Sequence, residues 1–213
     1  RLISSAASDV YKRQDLEYRY LMNPAFNAPL VLLMQNFFTI AFFVFITMCI
    51  FLYQSKSKYL IAFLPLLALS FHQFEEYVLS PLLLGDFYHF LNWAFRNDMD
   101  ISPMEVALIN LIPYVILLPA LIISKARSER VFGIIFLFNN ALTMANASFH
   151  IGISTAQNTF SPGMISSLFF YIPLFVYAIL LNKDMGLSNK PIIAISLYGF
   201  IGHYVLIWLV NIF

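Results

Sequence analysis

Charge and cysteine are what this sequence is short of. Only 11% of its 213 residues are charged while 61% are hydrophobic, a balance far from that of a soluble globular domain. No stretch is left that would fold as a separate aqueous domain, so one membrane domain is expected. The single cysteine, Cys49, excludes an intrachain disulfide and a four-cysteine zinc cluster. A net charge of +1 from scattered basic residues offers no patch for a nucleic-acid partner. Also missing are a Gly-x-Ser-x-Gly elbow, a Gly-rich phosphate loop, an H-E-x-x-H pair and any lysine inside an apolar run. The usual nucleophile, phosphate-binding and zinc-protease arrangements go with them.

Part of the apparent basicity belongs to the first residues. The stretch "SSAASDVYKRQ", Ser4 to Gln14, looks like the in-frame translation of a transposase sequencing adapter, so residues 1–14 are expected to be an artefactual tail and 15–213 the transmembrane domain. The lack of an initiator Met fits an assembled metagenomic fragment. Without Arg1, Asp9, Lys12 and Arg13 the formal charge falls from +1 to about −1.

What is present is six long apolar runs, near 30–53, 59–83, 104–123, 131–153, 164–182 and 191–213. A bilayer core of about 30 Å takes roughly 20 apolar residues per helix. Runs of this length, rather than alternating segments of about 10, predict helices and not barrel strands. The expected fold is therefore all-α, a polytopic membrane bundle of about six transmembrane helices. Pro113, Pro119 and Pro173 fall inside spans and are expected to kink them. Lys56, Lys58, Lys125, Arg127, Arg130, Lys183 and Lys190 lie in the first, third and fifth loops, against Arg19 and Arg96 on the other side. Positive charge marks the cytoplasmic face, which predicts a plasma-membrane protein with both termini outside. The second loop mixes Phe87, Tyr88, Phe90, Leu91, Trp93 and Phe95 with Asp86, His89, Arg96 and Asp98, and reads as an interfacial amphipathic segment or a lid.

Against this background the polar residues stand out. In "FHQFEEY" His72 precedes Glu75 by three residues and Glu76 by four, which puts both carboxylates on the helix face of the imidazole. In the fourth span Asn139, Thr143, Asn146 and His150, spaced 4, 3 and 4, form one polar stripe. At 1.5 Å per residue His72 lies roughly 20 Å above the cytoplasmic edge, Asn146 roughly 22 Å and His150 roughly 28 Å. Asn110 falls roughly 9 Å below the outer end of its span and His203 roughly 18 Å above the inner one. Four helices thus bring polar groups to one layer in the outer half. Ionisable groups in hydrocarbon cost about 2.5–3.5 kcal/mol each, so these need partners, water or an ion. A hydrogen-bonded network that only glues helices together is the bland reading; a zinc or other divalent-metal site built from imidazole and carboxylate is the sharper one. The carboxylates are too few for a di-iron bundle.

The "HQFEE" at 72–76, "NASFH" at 146–150 and "FSPGMISSLFFYIPL" at 160–174 together resemble the HxxEE-motif family of small integral membrane proteins, over about residues 35–210. That family is of unknown function, and the resemblance implies a possible membrane-bound metal-dependent hydrolase acting on lipid or membrane peptide. It carries over to His72, Glu75, Glu76, Asn146 and His150; His203 is added from depth alone. In this reading His72, Glu76 and His150, with His203 nearby, are metal ligands and Glu75 is the general base, the two glutamates being exchangeable. Asn146 and Asn110 stand ready to stabilise an oxyanion. A metal-free acid/base lipid-modifying enzyme, a transporter and a structural membrane protein remain open on the same residues. The inner halves of the spans carry almost no polar residues, which speaks against a continuous transport path.

Overall fold

Apolar runs this long satisfy their own backbone groups by coiling, and the computed structural model, which describes residues 29–97, 99 and 101–210, is helical accordingly. The adapter-like tail, Arg19, Asp98 and the last three residues of the sixth predicted span lie outside the described residues. Seven helices follow one another: α1 Pro29–Gln54, α2 over 60–84, α3 Phe90–Arg96, α4 Pro103–Arg127, α5 Glu129–Gln157, α6 Met164–Asp184 and α7 Asn189–Val210. Among the described residues there is no strand. The all-α bundle expected from run length is the fold found.

Five of these helices, α1, α4, α5, α6 and α7, are long and apolar enough to cross a membrane. The remaining predicted span, α2, has the length but is diluted by Ser70, His72, Gln73, Glu75 and Glu76, all buried. α5 is the hub: 56% of its most apolar window is buried, against 17–22% for the other four. The bundle therefore turns the polar stripe of α5 inward.

The core is layered. One apolar cluster, with Phe45, Leu66, Leu121, Phe132, Phe136 and Ile192, fills the end nearest the basic loops. Another, with Met34, Phe38, Tyr77, Leu91, Trp93 and Val106, fills the opposite end. Between them lies the polar layer. The second loop contributes to the second cluster rather than lying across a surface: Phe90, Leu91, Trp93 and Ala94 are all buried. At the start of α3 His89 is buried with neither ring nitrogen hydrogen-bonded. Burial pushes its pKa down to about 4, so it plugs this end as a neutral ring.

Two prolines set the local geometry around the polar layer. Proline has no N–H, and its ring crowds the carbonyl four residues back. Pro81 and Pro173 each follow a single wide turn, Glu75–Leu79 in α2 and Ser167–Tyr171 in α6. There the residue just before the proline bonds five back, Ser80 N–H to Glu75 C=O and Ile172 N–H to Ser167 C=O. The Tyr77 carbonyl, which Pro81 deprives of its usual donor, accepts Gln35 Nε2 of α1 at 3.3 Å. Such π turns concentrate at functional sites, and these two carry Glu76 and Tyr171, both of which meet His72.

Candidate metal centre

His72 and Glu76 share a face of α2 because they are four residues apart, and α5 brings His150 to meet them. Glu76 Oε1 lies 3.5 Å from His72 Nε2 and 3.4 Å from His150 Nε2. One ligand atom from each of the three residues lies within 4.8 Å of the others. The rings of His72 and His150 are 4.9 Å apart and nearly perpendicular. All three residues are at most 4% exposed.

Ser161 of the α5–α6 loop and Ser166 of the first turn of α6 back the two imidazoles. Ser166 Oγ lies 2.9 Å from the Gly163 carbonyl and 2.7 Å from His72 Nδ1; with its hydrogen on the carbonyl it accepts from the imidazole. Ser161 Oγ likewise donates to the Pro162 carbonyl and accepts from His150 Nδ1 at 2.8 Å. With the Oγ hydrogens on these carbonyls, both imidazole protons sit on Nδ1 and both Nε2 atoms present lone pairs to a carboxylate oxygen. His150 Nε2 has no hydrogen-bond partner. Three acceptors facing one another in a buried site repel unless a proton or a metal ion stands among them.

The donor set fits a metal. Tetrahedral zinc with bonds of about 2.0–2.1 Å separates its ligand atoms by about 3.3–3.4 Å, close to the two contacts of Glu76. A hydroxyl on the far nitrogen of each histidine is the outer support that metal-binding imidazoles carry. The cluster can thus hold a divalent ion through two imidazoles and one carboxylate.

Glu75 occupies a different place from its neighbour. Its Oε1 accepts Ile165 N–H at 2.9 Å and its Oε2 accepts Ser166 N–H at 2.7 Å. It is clamped onto the first turn of α6, where free N–H groups and the helix dipole favour negative charge. Asn110 pairs with Gln73, whose Nε2 donates to both its Oδ1 and its carbonyl at 3.0 Å, and Tyr114 donates to Gln73 Oε1 at 2.6 Å. Asn146 and His203 supply no atom to the three-residue cluster, but both line the two cavities beside it. The smaller, about 50 Å³, reaches His72 and also meets Asn139 and Thr143; the larger, about 320 Å³, reaches Glu76 and His150. Asn139 and Asn146 each carry an amide oxygen without a protein partner.

A family model described as a protein of unknown function with HXXEE motif matches residues 63–178, just over half of the chain. The chain belongs to this HXXEE family. No curated protein and no solved structure matches it. The HXXEE match spans His72, Glu75, Glu76, Asn110, Asn146 and His150 and stops short of His203. In this HXXEE protein the residues that sequence reasoning missed are Ser161, Ser166, Gln73 and Tyr171, the last with its ring 4.9 Å from that of His72. Gln73 lies inside the "HQFEE" stretch and the other three inside "FSPGMISSLFFYIPL", where nothing else singles them out.

Gly163 shows why that turn is small. Its φ is +87°, and a Cβ there would stand 2.5 Å from His72 Cε1 and 3.1 Å from His150 Cε1. Gly186 has φ +81° but open space around it. Gly186→Ala is expected to cost only the left-handed backbone strain, roughly 1–2 kcal/mol. Gly163→Ala is expected to cost more and to displace both imidazoles, losing metal as well. Thermal melts and metal analysis of the two variants check this; equal effects would remove Gly163 from the site.

Proposed function

We propose that the protein is a membrane-embedded, metal-dependent hydrolase of acyl bonds, with His72 Nε2, Glu76 Oε1 and His150 Nε2 as the ligand atoms. The observation that carries the reading is the convergence of three buried ligand atoms, with a serine hydroxyl, Ser166 or Ser161, hydrogen-bonded to Nδ1 of each histidine. Five helices apolar enough to cross a bilayer support the location, and the excess of basic residues in three loops favours a plasma-membrane placement with the site in the outer half.

A divalent ion in such a site polarises the carbonyl of an ester or amide and lowers the proton affinity of water. The chain's own residues do the rest. Glu76 lines the larger cavity and is the carboxylate placed to take a proton there, since both oxygens of Glu75 are engaged by α6. Asn146 offers its amide N–H to the carbonyl oxygen as negative charge develops. Hydrolysis then balances simply: water oxygen bonds to the carbonyl carbon, one water proton passes through Glu76, and that proton leaves with the alcohol or amine when the acyl bond breaks.

Metal analysis of the purified protein is the test. About one divalent ion per chain is expected in the wild type, and far less in His72→Ala and His150→Ala. A folded wild type that neither contains nor takes up a divalent ion overturns this reading.

A further inference from the structure

We propose that the cavity beside Glu76 and His150 receives the single apolar chain of an acyl lipid, entering between α4 and α7 with its carbonyl end at the two residues. The proposal rests on the hydrolase reading and names its substrate class. Its basis is the uneven chemistry of one cavity. Val106 and Ile109 of α4, Phe149 of α5 and Ile207 of α7 form apolar walls, and Phe90 of α3 lies at the covered end. The polar groups on the same lining are Glu76, His150, Asn110, Asn146 and His203, and Glu76 and His150 belong to the site described above. A ligand that matches this has a long apolar body and one polar group.

Size and access agree. About 320 Å³ is at the small end of ligand pockets, which run from about 300 to 1,000 Å³, so one chain is accommodated rather than two. Tyr204 lines the cavity and is 54% exposed, while the adjacent His203, also on the lining, is 5% exposed. The wall of α7 therefore runs from the core to the outer surface of the bundle, where lipid would lie. A membrane peptide suits this space less well. Each of its residues brings an amide that needs a partner, and the walls are helices whose backbone groups are paired within their own ladders.

A methyl ester of a fatty acid carrying a diazirine near the chain end tests the proposal in the full chain reconstituted in lipid nanodiscs. Photolabelling followed by peptide mass spectrometry is expected to mark Val106, Ile109, Phe149 or Ile207. Ile109→Trp and Ile207→Trp fill the cavity from opposite walls, and each is expected to cut that labelling by about tenfold or more. Ile123→Trp, on the 50% exposed face of the same α4, is expected to leave it unchanged. Labelling confined to outward residues such as Phe43 and Phe51 overturns the proposal. So does cavity labelling by an apolar diazirine peptide when the ester gives none, which would assign the cavity to peptide. Metal analysis of the same samples separates the two readings. Cavity labelling in a metal-free protein keeps the acyl pocket and removes the hydrolase; a full metal complement without cavity labelling does the reverse.

Discussion

Glu76→Gln is expected to strip the site of metal while raising the melting temperature of the metal-free protein. Without an ion, the buried carboxyl group faces two imidazole nitrogens at 3.4 and 3.5 Å, and unless it takes up a proton every atom there accepts and none donates. Glutamine keeps the shape and brings an N–H₂ that donates to either Nε2. Satisfying a buried acceptor and removing an unpaired buried charge are together worth about 1–3 kcal/mol. Metal affinity moves the opposite way. Loss of an outer support alone costs roughly 10–100-fold, and loss of a ligand carboxylate at least as much. Melts in chelator, paired with metal titrations, read both signs. A Glu76→Gln protein that melts lower than wild type in chelator means that Glu76 is itself a donor, protonated in the resting site, and the metal reading loses its main support.

The adjacent substitution is expected to act in the other direction. Glu75 is fully buried and holds two backbone N–H groups of α6. In Glu75→Gln one acceptor becomes an N–H₂ pointed at a backbone N–H, donor against donor. Bonds to a charged acceptor contribute about 1.5–3 kcal/mol each, and an unsatisfied buried donor adds a penalty of similar size. The expected loss is about 2–5 kcal/mol of stability, with a smaller fall in metal affinity because Ser166, carried on the same turn, orients His72. Thermal unfolding of both variants side by side gives the ranking. If Glu75→Gln is as stable as wild type, its contacts with α6 carry no weight and a direct role in proton transfer regains its place.

The contrast between two neighbouring glutamates is what the sequence alone left open. Spacing was enough to put His72 and Glu76 on one face, and helical rise was enough to expect His150 of α5 beside them, where the structure has it. The fold class was legible for the same reason, since run length and composition are local properties. Which carboxylate faces the histidines was not, because that depends on the wide turn that begins at Glu75 and on an α6 N-terminus some ninety residues away. Ser166 was hidden by the same distance, 94 residues from His72, and Ser161, only 11 from His150, because a serine near a Pro-Gly turn has no period and no charge to mark it. The second loop was misjudged for a different reason. Its mix of aromatic and polar residues is the pattern of an interfacial segment, and only the cluster formed by α1, Tyr77 and α4 shows that its apolar side is covered by protein.

The clamp of Glu75 on α6 also has a meaning for the order in which the chain is made. α2 is the helix that falls short of the apolarity of the other five, and each charged residue placed in a bilayer costs about 2.5–3.5 kcal/mol. Its N–H partners, Ile165 and Ser166, are synthesised 90 and 91 residues after Glu75. During that interval Glu75 lacks these two N–H partners, although α1, α4 and α5, which pack against α2, are already made. A nascent chain that ends before α6 therefore leaves Glu75 unclamped, and synthesis of the short "SPGMISS" stretch is the step that supplies its two N–H donors.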